Sequence, residues 1–190
     1  MKTKDKRIKL ADGRERMIEA AEDIVRRQGM EGLSIGAVAK SVGLTKGGVL
    51  HHFKTKDELV AAMMRRDFER FLASYEKHCA QIEGLEDPLT SHQKDFLPYF
   101  RAVVHDAESA DMLRLCLSVA AVLDPRHQAE TRASLVERWH QLDPDDDREM
   151  RLAVAKLVAD GLWINTLLGT GPPEAVKARL ERFLLDSLGE

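Results

Sequence analysis

Apolar residues recur along this chain at spacings of three and four and nowhere alternate over a sustained stretch, so the pattern predicts helices throughout. Met17, Ala20, Ala21, Ile24 and Val25 share one face of a first helix over about 13–28, with Gly29 as its stop signal. Two short helical segments follow at about 35–41 and 46–52, then a longer helix over about 56–82 that ends before Gly84 and Pro88. Further helices are predicted at about 91–106, 110–123, 125–141, 145–169 and 173–188. Their boundaries carry turn formers beside prolines, as in Asp124-Pro125, Asp143-Pro144 and the run from Gly169 to Pro173. Asp145, Asp146 and Asp147 stand where a helix begins. There a carboxylate caps free amides and suits the helix dipole, which is a simpler account than a metal site.

The most informative window runs from Ser34 to Leu59. Ser34 is a good cap for a short helix whose inward face is Ile35, Val38 and Ala39, the last small enough for two helices to cross tightly. Gly43 sits where the chain must turn, a place that commonly requires positive φ. Val42 and Leu44 flank it as plugs for the underside of the turn, Thr45 caps the second helix, and Val49 anchors that helix on the first. Two helices joined by a three-residue turn with glycine make a DNA-reading helix-turn-helix; a plain helical hairpin in a bundle would show part of the same pattern.

Leu44-Thr-Lys-Gly-Gly-Val-Leu-His-His-Phe53, followed by Lys56-Asp57 and preceded by Ala20-Ala21, Gly29 and Leu33-Ser34-Ile35, resembles the DNA-binding domain of TetR/AcrR-family transcriptional regulators. The specific resemblance covers about the first 60 residues. It implies an all-α fold, with a three-helix helix-turn-helix domain over 1–55 (motif about 34–53, basic arm 1–12) and a helical effector-binding and dimerisation domain over 56–190. It also implies that Thr45, Lys46, Gly47, Gly48, Leu50, His51 and His52 face DNA while Phe53 packs inward, with Ser34 grouped beside them. Lys56, at the start of the following helix, is expected to meet a phosphate. Leu50 departs from the family pattern, which often has Tyr there; a phosphate contact is lost and apolar contact, as with a thymine methyl, is left. The basic run Lys2, Lys4, Lys6, Arg7 and Lys9 is open to two readings, a minor-groove arm or a solubilising tail.

Residues 152–168 are apolar nearly all round, and a stripe follows on the last helix. The resemblance implies that these two helices pair with their symmetry mates in a homodimer, through Leu152, Val158, Gly161 and Leu162 and through Val176, Leu180, Phe183 and Leu184. The remaining helices are expected to enclose a small, largely apolar effector. Candidate lining residues are Tyr99, Phe100, His105, Met112 and Arg114, with Cys116, Trp139, Trp163 and Asn165.

Charge sharpens this picture. The 190-residue chain has a net charge of −3, yet residues 1–60 hold 13 Lys+Arg against 9 Asp+Glu, and residues 61–190 hold 16 against 23. A basic module fused to an acidic one suits a protein whose first part meets a polyanion. No nucleotide-binding, nucleophile-elbow or zinc-protease motif is present, so no enzyme, cofactor or metal is expected. His51-His52 are neighbours pointing about 100° apart, a poor metal pair. The two cysteines, Cys79 and Cys116, are isolated, and the longest weakly charged stretch contains Asp160, Gly161 and Gly169. The expectation is a cytoplasmic protein, without a membrane partner, that represses transcription from a near-palindromic operator until the effector releases it. The rival reading is a helical protein-interaction module that does not bind DNA.

Overall fold

The computed structural model describes residues 2–83, 89–106 and 142–189, with side chains from residue 13 onward. Every regular element among them is helical: α1 (Lys2–Gly32), α2 (Ile35–Ser41), α3 (Lys46–His52), α4 (Lys56–Glu83), α5 (Ser91–Phe100), a π-helical turn (Arg101–His105), α6 (Asp147–Leu167) and α7 (Glu174–Gly189). The helices expected over 110–123 and 125–141 lie outside the described residues. None of the described helices is long and apolar enough to cross a membrane.

Local chemistry sets most boundaries where the sequence places them. Ser34 accepts a hydrogen bond from the Ala37 amide at 3.1 Å, Thr45 from the Gly48 amide at 3.1 Å, and Asp146 from the Arg148 amide at 2.8 Å, each covering an amide that has no partner inside its helix. Thr90 and Gln93 bond each other's backbone in a reciprocal capping box at the start of α5. Two boundaries differ. The first helix begins at Lys2, so residues 2–12 of the expected arm are helical backbone, as a run of Lys, Arg, Leu and Ala without proline permits. It breaks at Gly29, whose φ of 69° only glycine adopts freely. The single helix expected over 91–106 also divides. From Arg101 the ladder widens into the π-helical turn, closed by the Asp106 amide donating to the Arg101 carbonyl at 3.2 Å.

Two apolar cores follow. The first joins Met17, Ile18, Ala21 and Val25 of α1 to Val38 and Ala39 of α2, Val49 and Phe53, and Leu59, Val60, Ala62 and Met63 of α4. The opening turns of α4 thus belong to the first core, and a boundary at residue 55 falls ahead of them. The second core joins Phe96 and Phe100 to Val103 and Val104, to Leu152, Ala155, Ala159 and Leu162 of α6, and to Leu184 and Leu188 of α7; Phe71 of α4 packs against it. Among the described elements, α4 alone reaches both cores.

Between the cores lies a buried charge. Glu22 of α1 is 1% exposed, and its carboxylate takes both guanidinium nitrogens of Arg70, at 3.3 and 3.1 Å, with Arg66 Nε at 3.8 Å and Arg26 Nη2 at 3.7 Å. Burial works against the charge on Arg66, but the hydrogen bond it donates to Glu19 and the charges of Glu22, Glu15 and Glu19 outweigh it and hold the guanidinium above its usual pKa.

The π-helical turn is tied on two sides. Toward α4, Ser74 and His78 both bond Asp106, His78 Nε2 lying 3.2 Å from Oδ1. Toward α7, His105 presents Nδ1 to Glu174 at 3.0 Å and Nε2 to Glu181 at 2.8 Å, and Arg101 donates to Glu181 at 3.1 Å. An imidazole facing a carboxylate at each nitrogen donates twice only when it is charged.

Glu22→Ala is expected to lower unfolding stability in urea by about 3 kcal/mol. That is the low end for breaking a buried pair, since Arg70 can turn to water. The His105 cluster gives a pH signature. The Glu181 hydrogen bond raises the His105 pKa above 6.5, against burial and with help from the charges of Glu181 and Glu174. Its contribution is therefore complete below pH 6.5 and lost as pH rises through the folded value. Burial opposes the charges of both carboxylates but is outweighed, by Lys177 and His105 at Glu174 and by His105 and Arg101 at Glu181, so both pKa values fall below 4.5. Their contribution is present above pH 4.5 and fades in more acid solution, which makes the tie strongest between pH 4.5 and 6.5. An NMR titration should read a His105 pKa above 6.5 that drops in Glu181→Gln, and His105→Gln should flatten the stability loss on the alkaline side.

Candidate nucleic-acid interface

The helix-turn-helix is held from beneath. Val38 and Val49 are fully buried and Ala39 is 3% exposed, so α2 and α3 meet over the small alanine as their spacing requires. Gly43 has φ 69°, and the Leu44 amide returns to the Ala39 carbonyl at 2.8 Å to close the turn. Val42 packs half-buried against the first core. Phe53 is buried, with the Arg14 guanidinium 4.9 Å above its ring centre. These anchors leave Ser34, Thr45, Lys46, Gly47, Leu50 and His51 exposed, with Gly48 half-exposed beside them. No acidic residue occurs from Ser34 to Lys54.

Three residues depart from expectation. Leu44 is 47% exposed, and the turn closes through its amide on the Ala39 carbonyl, with Val42 packed against the first core. Lys56 donates at 3.0 Å to the Met30 carbonyl near the end of α1, which also accepts from the Leu33 amide at 3.3 Å. Its ammonium thus ties α4 to α1 before any ligand is present. His52 is half-buried near Gly13; burial first, then the positive charges of His51 and Arg14, lower its pKa below 6.5, so at neutral pH it is an uncharged ring.

Two contributors escape the sequence reading. Arg14 reaches Phe53 from 39 positions away, and no local pattern signals that. Gly36 is the other: a Cβ there would lie 2.8 Å from Lys46 Cε, so the missing side chain gives the Lys46 stem its path over α2.

The expected effector lining is only partly assembled among the described residues. Tyr99 bonds Asp160 and meets Phe71 edge-on with ring centres 6.2 Å apart, and Trp163 stands half-buried against the second core. Phe100 is fully buried as core, and His105 is engaged with α7. Asn165 is exposed, bonding the Gly161 carbonyl at 2.7 Å and Thr170 at 3.1 Å, and so finishes the end of α6. Met112, Arg114, Cys116 and Trp139 lie outside the described residues. Among the described residues no group of three His, Cys, Asp or Glu side chains is placed to hold a metal.

The expected pairing face also shifts. Leu152, Leu162 and Leu184 are buried in the chain's own second core, with Val158 and Leu180 half-buried against it, so these do not form the outer surface. A helix packed on one side turns those positions inward. Its outer face is Val154, Leu157, Gly161, Ile164 and Leu168 at spacings of three and four, with Val176 and Phe183 exposed on α7. A Cβ on Gly161 would meet nothing within 4 Å.

A capped, anchored helix-turn-helix joined by one long helix to a second helical core defines a regulator of the helix-turn-helix class. Residues 17–63 match the family model for bacterial regulatory proteins of the tetR family, and residues 97–188 match that for a tetracyclin repressor-like C-terminal domain. The chain belongs to the TetR family of transcriptional regulators. It is 27% identical to the regulator BetI of Stenotrophomonas maltophilia, over 87% of each chain. It is 35% identical to the regulator UidR of Escherichia coli over 72 residues, which are 38% of this chain and spread over only 35% of that relative's length. Among solved structures, the multidrug binding protein EbrR complexed with imidazole shares the fold with a TM-score of 0.63 at 24% identity, covering 92% of this chain and 93% of that one.

Lys56→Ala is expected to lower the stability of the DNA-free protein by about 1.5 kcal/mol, the worth of a hydrogen bond from a charged donor, read in urea unfolding. A lysine that served phosphate alone would leave that stability unchanged.

Proposed function

We propose that this chain represses transcription in the cytoplasm by gripping a near-palindromic operator as a homodimer, and that a small, largely apolar effector releases it. The observation that carries the DNA reading is the outward side of α3, which is exposed, free of acidic groups, and braced from below by Val49 and Phe53. In a major groove, Thr45 and Lys46 would meet the phosphate backbone and His51 a base edge. The partner for the apolar face of α6 and α7 is a second copy of the chain. A stripe running from Val154 to Leu168 and continued by Val176 and Phe183 supports this, since it offers exposed apolar surface that would pair with its own copy about a two-fold axis, and such an axis would set the spacing of two half-sites.

Release follows from α4. An effector beside Tyr99 and Trp163 would press on Phe71, next in sequence to Arg70, and the Glu22 clamp would carry the displacement to α1 and the helix-turn-helix. For this the effector must bind the DNA-incompetent arrangement more tightly than the competent one.

Sites enriched from random duplexes by the full chain, followed by binding titrations and light scattering, test this reading. The wild-type protein should scatter as twice 21.4 kDa and enrich a two-fold sequence, whereas Leu157→Glu should give the monomer and lose most of its affinity. His51→Ala should relax one symmetric position at a cost of about 1–3 kcal/mol. A chain that enriches no sequence would instead be the protein-interaction module.

A further inference from the structure

The outer side of the helix-turn-helix carries apolar surface that the fold does not use. Leu44 is 47% exposed and Leu50 is 39% exposed. Gly47 and Gly48 stand between them. A Cβ built on Gly48 would lie 3.6 Å from the Leu44 Cβ and 3.9 Å from its Cδ1, so the leucine rests along a strip of bare backbone. Val49 and Phe53 face the first core, His52 turns toward α1, and the Lys46 stem crosses Gly36. The outward side of the turn and α3 then presents the isobutyl groups of Leu44 and Leu50, two glycines, the imidazole of His51 and the ammonium of Lys46, while the Thr45 hydroxyl is engaged in capping α3.

With Thr45 and Lys46 assigned to the phosphate backbone, His51 is the one polar side chain of this face left for base edges, so hydrogen bonds alone read few bases here. Isolated exposed leucines are ordinary on protein surfaces. These two differ because they flank the bare backbone of a helix offered to a groove. On the base edges of the major groove the one apolar group is the C5-methyl of thymine. With no side chains at Gly47 and Gly48, the α3 backbone can come close enough for leucines on either side to reach such methyls. We infer, resting on the DNA-binding reading above, that Leu44 and Leu50 select the operator by contact with thymine methyl groups on either side of the Gly47–Gly48 backbone.

Deoxyuridine tests this cleanly, because it keeps every hydrogen bond of thymine and lacks only the methyl. Sites enriched by the full-length wild-type chain are resynthesised with single thymines replaced by deoxyuridine, and each duplex is titrated with wild type, Leu44→Ala, Leu50→Ala and His51→Ala. In wild type, replacement at one or two positions per half-site should weaken binding about fourfold for each methyl removed, the transfer free energy of one such group. That penalty should vanish in the alanine variant of the leucine responsible and persist in His51→Ala. Both leucines are exposed, so melting temperatures should stay at the wild-type value and confirm that folding is not what changed. An enriched site whose uracil duplexes all bind like the thymine parent would overturn the inference and leave the DNA-binding reading standing. A uracil penalty of the same size in both leucine variants would overturn it as well. Failure to enrich any site would remove both together.

Discussion

A carboxylate buried on α1 governs how the two parts of this chain meet. Glu22 is shut away from water, where an unpaired charge is very costly, so its arginine partners must stay in place. Arg70 holds it with two parallel bonds, a geometry far less forgiving than apolar packing, which tolerates sliding. The path of α4 past α1 is thereby set in direction as well as in contact. Phe71, one position further on, enters the surroundings of the second core. Charge geometry on one residue and apolar packing on the next place the junction of the two halves within a single turn of helix.

The second half is organised around the π-helical turn. Its extra backbone residue aims neighbouring side chains in different directions, Asp106 to Ser74 and His78 on α4 and His105 to the carboxylates of α7. The same short segment thus touches the helix that reaches the helix-turn-helix and one of the helices bearing the exposed apolar face.

The recognition surface obeys a different economy. Helices of seven residues are too short to persist alone, so α2 and α3 exist because Val38, Ala39, Val49 and Phe53 bury them against α1 and α4. Once those positions face inward, what remains outside is determined by geometry, and here Leu44, Gly47 and Leu50 stand exposed among Thr45, Lys46 and His51.

Much of this was legible in the amino-acid order, because helix ends and tight turns are local. Ser34, Thr45 and Asp146 cap neighbours two or three residues away, Gly43 meets a backbone requirement of its own, and the inward set Val38, Ala39 and Val49 follows from helical period, while the inward Phe53 was implied by the family resemblance. The basic first module, the two-part organisation and the outward positions Thr45, Lys46, Gly47, Leu50 and His51 were likewise written in the chain, whereas the inward turn of His52 and the exposure of Leu44 were not. Tertiary structure alone decided the partners of residues distant in sequence: Lys56 with Met30, Arg70 with Glu22, Arg14 over Phe53, and His105 between two glutamates. It also decided which apolar residues of α6 and α7 are core and which are left outside. A helix that is apolar nearly all round does not say which side its neighbours will cover. Periodicity reports that residues share a face, and only the packing of the other helices turns Leu152 and Leu162 inward and leaves Val154 and Leu157 in water.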